Sequence, residues 1–136
     1  MKRERALFVT RRAIEFDRTV EGLSQIVTGI LRDYSARGYR VLLVTDRPEV
    51  GGREFDSKGA MLQYLRSAEY HPLPISDVLV LTSAFDPAPF WDAARRFNLS
   101  LQDSTFLSLA GEFSGAAHTA GVEHAEPSEE VFGQAA

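Results

Sequence analysis

The sequence predicts an α/β fold: a three-layer α/β/α domain of Rossmann-like type built on an open, mostly parallel sheet. Four short apolar, β-favouring runs alternate with segments of helical periodicity, which is the pattern of parallel sheets. The runs are almost continuously apolar, as strands covered on both faces are. With 136 residues the chain is long enough for one such domain. We expect one domain over residues 1–125, followed by a flexible acidic tail over residues 126–136.

The first three elements form a strand, a helix and a strand. Ala6 to Thr10 is a short apolar run bounded by charges, which predicts a buried strand. Apolar residues then recur at helical spacing from Thr19 to Arg37, with Thr19 as a plausible N-cap and Gly38 as the stop signal. Tyr39 to Thr45 is the second strand. A right-handed parallel crossover would join the two strands.

The rest of the chain continues the alternation. Prolines and glycines mark the ends of the segments, and a proline in the first turn of a helix costs little because its missing N–H has no partner there. The predicted elements are a helix over about 56–69, a strand over 77–82, a helix over 87–97, a strand over 105–110 and a weak helix over 111–120.

Composition excludes several classes of protein. The chain has no cysteine, so disulfides, thiolate metal clusters and a cysteine nucleophile are excluded. No apolar run approaches the ~20 residues of a membrane span, and no secretory signal is recognisable, so we expect a cytoplasmic protein without membrane contact. The net charge of −4 and the lack of a basic helix argue against nucleic acid as the main partner.

The charges are unevenly distributed along the chain. Residues 1–53 carry 11 Lys and Arg against 7 Asp and Glu, whereas residues 54–136 carry 4 against 12. A solvated surface with uneven charge would explain this pattern. A dipolar protein would also explain it, with a basic end that faces an anion or with two ends that meet in an oligomer.

Several stretches of the sequence, in the right order, resemble one enzyme family. They are Ala6 to Val9, Leu31 to Thr45, Ala93 to Leu99 and Thr119 to Val122. These stretches are similar to the capless haloacid dehalogenase (HAD)-like phosphatases, in the branch of heptose-bisphosphate and histidinol-phosphate phosphatases. The resemblance implies a HAD-like fold without a cap domain, and it agrees with the eight residues from Arg11 to Arg18, which leave room for a small flap only.

The resemblance also implies that the chemistry of the family is lost. Active members carry Asp-x-Asp at the end of the first strand, the first carboxylate being the nucleophile and the second the general acid and base. Thr10 and Arg12 stand at these two places here. A threonine hydroxyl without an adjacent base is a poor nucleophile, and an arginine stays protonated.

The family's remaining motifs are altered as well. Thr45 stands where the family has a phosphate-binding hydroxyl, but Asp46 follows in place of the usual Asn. No lysine appears in Asp86 to Pro89, where the family has one, and Ser108 and Phe113 stand in the region of its magnesium ligands. We therefore expect no cofactor, with Mg²⁺ required only if the protein is a divergent enzyme.

Ligands of open α/β sheets bind outside the carboxyl ends of the strands, so the candidate site lies there. The arginines at these ends, with Arg53, suit a small anion, although solvent-facing or interface arginines are the commoner case. A cation held by Asp46, Asp86 and Glu112 is a weaker alternative. The candidate residues of the vestigial or anion-binding site are Thr10, Arg11, Arg12, Thr45, Asp46 and Arg47.

Aromatic and large apolar residues also cluster in the segments near these strand ends. Core packing explains such residues more often than an interaction patch does, but exposed members would favour a protein partner. The residues concerned are Ile14, Phe16, Phe85, Phe90, Trp91 and Phe113.

The sequence thus favours a catalytically inactive HAD-like pseudophosphatase. It would act as a binding, regulatory or oligomerisation module, with a protein partner, a second copy or a small anion at the former active-site face. The alternative is a divergent Mg²⁺-dependent phosphatase or phosphotransferase acting on a small phosphorylated metabolite. A degenerate receiver-type signalling domain fits less well, because Thr82 stands where its phospho-accepting Asp should end the third strand.

Overall fold

The fold is a parallel five-stranded sheet flanked by helices, seen in a computed structural model that describes residues 2–15, 25–67, 73–109 and 111–125. The strands lie in the order β5-β2-β1-β6-β7. They are β1 (Ala6–Thr10), β2 (Arg40–Thr45), β5 (Ile75–Val80), β6 (Thr105–Leu107) and β7 (His124–Ala125), and β3 (Glu49–Val50) and β4 (Arg53–Glu54) form a separate hairpin. The helices are α1 (Arg11–Glu15), α2 (Gln25–Ala36), α3 (Lys58–Leu65), α4 (Ala88–Phe97) and α5 (Ser114–Ala120).

Strand β1 is the centre of the sheet. It pairs in parallel with β2 on one side and with β6 on the other. All five of its residues are buried, because helices cover both faces of the strand. The Ser104 hydroxyl accepts a hydrogen bond from the Ala6 amide at 3.0 Å and joins the amino ends of β1 and β6.

Two separate cores confirm the three-layer architecture. Alternate residues of β1 point to opposite faces: Leu7 and Val9 enter one core, and Ala6 and Phe8 enter the other. The first core receives the apolar faces of α2 and α3, and the second those of α4 and α5. In the second core the Phe8 and Phe90 rings meet edge to face, 4.9 Å between centroids.

The structure also differs from the sequence-based expectations in several elements. The sheet has a fifth strand, β7, which is too short to give an alternating pattern. Strand β6 ends at Leu107 instead of residue 110, and the glycines after β2 form the turn of a hairpin. Helix α1 follows β1 directly, in the segment for which only a small flap was expected. The predicted start of the first helix at Thr19 and the predicted tail over 126–136 lie outside the described residues.

The edge strand β5 is tied to helices on both faces through Asp77. Asp77 Oδ2 lies 2.7 Å from a terminal nitrogen of Arg96 in α4 and 3.7 Å from Lys58 Nζ in α3. This carboxylate raises the pKa of the Arg96 guanidinium further above its usual value. The Val78 amide donates to Asp77 Oδ1, and the Val78 carbonyl accepts from Lys58 Nζ, so side chains satisfy the hydrogen-bonding groups of this part of the strand edge.

Among the described helices none is long and apolar enough to cross a membrane.

Candidate functional site at the carboxyl ends of the strands

A cluster of polar groups lies at the carboxyl ends of β1 and β2, and we call it the strand-end crevice: Thr10, Arg11, Glu15, Thr45 and Asp46 with the amide of Gly51. The order of the sheet reverses direction at β1, since β2 lies on one side and β6 on the other. Ligand sites of open α/β sheets lie at such switch points, here between β1 and β6, and the polar groups at the ends of β1 and β2 lie beside it. Four of the six residues predicted for the vestigial site therefore lie together in this crevice.

Thr10 is the last residue of β1, and it is fully buried. Its Oγ1 accepts a hydrogen bond from the Ala13 amide at 3.4 Å and so caps the amino end of α1. A hydroxyl in this position has a structural role, and it is not presented to a molecule in solvent.

Arg11 fills the centre of the crevice with its guanidinium, and its side chain is only 12% exposed. Nε donates to Thr45 Oγ1 at 3.2 Å, and one terminal nitrogen donates to Glu15 Oε1 at 2.9 Å. The other terminal nitrogen lies 3.4 Å from Asp46 Oδ1. The group that could have bound a phosphate is thus engaged with the protein's own oxygen atoms on three sides.

Glu15 supplies the nearest carboxylate to Arg11. Its side chain is 8% exposed, and its Oε2 accepts a hydrogen bond from the Gly51 amide at 3.0 Å. Gly51 has a positive φ of 61° in the turn between β3 and β4, a conformation for which glycine is suited. The carboxylate therefore connects α1 to the hairpin as well as neutralising Arg11.

Thr45 ends β2 as Thr10 ends β1, and it too is fully buried. Its hydroxyl donates to the Arg47 carbonyl at 2.7 Å and accepts from the Arg47 amide at 3.3 Å, in addition to Arg11. The hydroxyl that the resemblance aligns with phosphate binding is thus used for the turn that follows β2.

The other arginines near the strand ends also have partners in the chain. Arg47 pairs with Glu49 at 2.9 Å, and the more exposed Arg12 lies 3.7 Å from Glu112. The Arg53 guanidinium lies against the rings of Phe55 and Tyr64, 5.3 and 4.9 Å from their centroids. Carboxylates thus offset the positive charge of Arg11, Arg12 and Arg47 at this end of the sheet.

The carboxylates proposed for a cation site are separately engaged. Asp46 lies beside Arg11, Glu112 beside Arg12, and Asp86 Oδ1 accepts from the Ala88 amide at the start of α4. No group of three or more acidic or histidine side chains in the described ranges could hold a metal ion. Phe113, aligned with the family's last metal ligand, adopts a left-handed backbone conformation with φ 60° and packs against the second core.

The aromatic residues near the crevice divide between core and surface. Ile14 and Phe90 are buried, whereas Phe85 is 75% exposed and Trp91 48% exposed. The Phe85 ring lies so close to Gly115 that an added Cβ there would meet it at 2.9 Å. Trp91 Nε1 donates to the Ala120 carbonyl at 3.2 Å, so both rings lie along α5. Phe16 lies outside the described residues.

Glu15 and Gly51 were not predicted from the sequence as parts of this site. The spacing of Arg11 and Glu15, four residues apart, is a signal for an ion pair, but only if the segment is helical. Only a small flap was expected over this segment, so the spacing of Arg11 and Glu15 was not interpreted as an ion pair. Nothing in the sequence relates Glu15 to Gly51, because the contact joins segments that are distant along the chain.

No protein-family model matches the chain, and no curated protein matches it. Among solved structures, it is similar to the crystal structure of a presumed HAD-like phosphatase from Mesorhizobium loti, with a TM-score of 0.65 and 17% sequence identity. The match covers 90% of this chain and 71% of the other. The order of the strands, the two helical layers and this likeness lead to one conclusion: the chain has the Rossmann-like α/β fold of HAD-like phosphatases.

Proposed function

We propose that this protein is a pseudophosphatase, a HAD-like domain without phosphatase activity that acts as a binding, regulatory or oligomerisation module. The observation that carries the proposal is the strand-end crevice, where the Arg11 guanidinium donates hydrogen bonds to Glu15 and Thr45. Charge stabilisation in phosphoryl transfer needs donors that are free to face the phosphate. Here those donors face the protein's own carboxylates.

The residues at the two catalytic positions support the same proposal. Thr10 is buried as a helix cap and Arg12 pairs with Glu112, so neither is arranged as a nucleophile or a proton acceptor. The nucleophile, the acid, the charge clamp and the metal of such an enzyme act as a unit, and losing one member removes most of the rate. An Mg²⁺-dependent enzyme would need a different set of groups.

Activity assays test the first half of the proposal. Release of phosphate from a panel of sugar phosphates, nucleotides and an aryl phosphate is measured with Mg²⁺, with the Thr10→Ala protein as control. We expect that neither protein releases phosphate. Magnesium-dependent hydrolysis that the control lacks would contradict the proposal and identify a divergent phosphatase.

The exposed Phe85 supports the second half, binding at the strand-end face to a protein or to a second copy. An aromatic ring that is three-quarters exposed is typical of residues that become buried at interfaces. Sedimentation analysis over a range of concentrations measures self-association, and Phe85→Ala should weaken it. Arg95→Ala, at a highly exposed position on α4, is the matched control. Association that is insensitive to Phe85→Ala would place the interface elsewhere.

A further inference from the structure

The opposite end of the sheet carries a groove of about 600 Å³, which we call the amino-end groove. It lies where the strands begin: Arg5 precedes β1, Tyr39 precedes β2, and Thr105 and His124 are the first residues of β6 and β7. Its volume is in the range of small-molecule sites, roughly 300–1,000 Å³. The lining residues are Lys2, Arg5, Tyr34, Tyr39, Asp103, Thr105, His124 and Ala125.

Tyrosine rings of the groove lining stack with two guanidinium groups: Arg5 itself lines the groove, whereas Arg37 lies outside the lining and pairs with Asp33. The Arg5 guanidinium lies 4.3 Å from the centroid of the Tyr39 ring, and that of Arg37 lies 4.2 Å from Tyr34. The two tyrosine rings meet edge to face at 4.8 Å. Stacking on a ring fixes a guanidinium while its N–H groups remain available in the plane of the group.

The backbone beneath these side chains is fixed as well. The Arg5 carbonyl accepts from the Arg40 amide at 2.9 Å, and the Tyr39 amide donates to the Tyr34 carbonyl at 3.0 Å. Tyr34 itself is buried in the first core. The cationic group of Arg5 therefore needs little ordering when it binds a ligand, which reduces the entropic cost of binding.

The charges of the groove differ in kind from those of the strand-end crevice. Neither Lys2 nor Arg5 forms an ion pair with any residue in the described ranges, and His124 adds a further potential donor. The acidic lining residue, Asp103, has its Oδ2 engaged by the Ser100 hydroxyl at 2.8 Å. In the crevice, by contrast, Arg11 is matched by Glu15 and Asp46.

We propose that the amino-end groove is an oxyanion site, which binds the phosphate or carboxylate group of a small ligand between Arg5 and Lys2. Guanidinium and ammonium groups suit such oxygens, and charge-assisted hydrogen bonds are the stronger kind. The oxyanion has two possible sources. One is a phosphorylated molecule in solution, and the other is the acidic segment that follows Ala125, with Glu126, Glu129 and Glu130.

Titration of ¹⁵N-labelled protein with inorganic phosphate tests the site, with chloride at equal ionic strength as reference. We expect the amides of Arg5, Tyr39 and Thr105 to shift, with those of Thr45 and Asp46 unchanged. Lys2→Gln with Arg5→Gln should raise the Kd at least about tenfold, the effect of losing a charged hydrogen bond. The spectrum of each variant shows at once whether it is folded.

Arg95→Gln is the matched control for the loss of positive charge, because Arg95 is exposed on α4 and away from the groove lining. It should leave the Kd unchanged. Shifts confined to the strand-end crevice, or an equal rise in Kd for Arg95→Gln, would overturn the proposal. So would the absence of binding both in the unaltered protein and in a full-length variant with Glu126, Glu129 and Glu130 changed to Gln.

The same Gln variant distinguishes the two sources of the oxyanion. Tighter phosphate binding by the variant would mean that the chain's own carboxylates occupy the groove, whereas an equal Kd would mean that the ligand comes from solution. Either result supports an oxyanion site. The test is independent of the proposed pseudophosphatase, since the amino-end groove and the strand-end crevice lie at opposite ends of the strands.

Discussion

Arg11 is the central residue of the strand-end crevice. The sequence placed it correctly at the end of β1 and identified its chemistry, since a guanidinium binds oxyanions. The sequence could not show that the oxyanion is Glu15, because that contact depends on a helix too short to leave a periodic pattern. Local chemistry was thus predictable at this residue, and its partner was not.

We expect Glu15→Gln to destabilise the protein by about 1–3 kcal/mol, because it leaves the nearly buried Arg11 without its main counter-charge. Asp46→Asn is the matched control. Asp46 is half exposed and lies farther from Arg11, so its loss should cost at most about 1 kcal/mol. Denaturant unfolding measures both free energies. Equal losses of unfolding free energy would mean that the Arg11–Glu15 pair contributes no more to stability than the Arg11–Asp46 pair.

Thr10→Asp combined with Arg12→Asp should not produce a phosphatase. The two carboxylates would stand where the phosphatases that the sequence resembles carry theirs, but Arg11 would still be engaged by Glu15, and no lysine or metal group would be added. Phosphate release with Mg²⁺ is measured on protein whose circular dichroism matches that of the parent. Hydrolysis by the double variant would contradict the proposal that several catalytic groups are missing together.

At the scale of elements, the strands that coincide with continuous apolar runs were the most predictable. β1 agrees with its predicted bounds, and β2 differs by one residue, since buried parallel strands have an unmistakable composition. The helix and strands that were missed, α1, β3, β4 and β7, each span five residues or fewer. Such elements exist because of tertiary contacts, such as that of Glu15 with Gly51, which local sequence does not encode.

Helix α2 offers a test of this separation between local and tertiary effects. Gly29 lies exposed within the helix, and a Cβ added there meets nothing within 4 Å, so Gly29→Ala should stabilise the protein by about 0.5–1 kcal/mol. Gly38 has φ +90° just beyond the helix, so Gly38→Ala should destabilise by about 1 kcal/mol or more. Thermal unfolding gives both signs. Stabilisation by Gly38→Ala would contradict the turn described here.

At the scale of the whole molecule, the parallel sheet and its two helical layers followed from the alternation of elements, whereas the order of the strands was not predicted. What remained hidden was the distribution of paired and unpaired charge. The uneven charge of the sequence suggested a basic end facing an anion. The structure adds that Arg11, Arg12 and Arg47 pair with carboxylates at the carboxyl end of the sheet, and that at the amino end Arg40 is paired but Arg5 has no ion pair with a described residue. Ion pairs such as Arg12 with Glu112 join distant parts of the chain, so counting charges along the sequence cannot detect them.

The side chains at the edge of β5 should prevent two molecules from pairing edge to edge through this strand. Asp77→Ala removes the acceptor of the Val78 amide and the anchor of Arg96 and Lys58, so it should both destabilise the domain and favour association through the exposed edge. Light scattering at raised concentration measures the association. Ser76→Ala, at the preceding and partly buried position of the same strand, should leave the scattering unchanged.

The central place of β1 has a consequence for how the chain folds during synthesis. This strand leaves the ribosome before the other strands of the sheet, yet one of its partners, β6, begins about 100 residues later at Thr105. Until then β1 can pair with β2 alone, and one side of the most apolar strand stays open. Pairing between segments this far apart is slow, and open strand edges invite misassembly. A ribosome-bound chain that stops before β6 should therefore be far more sensitive to protease than the released protein.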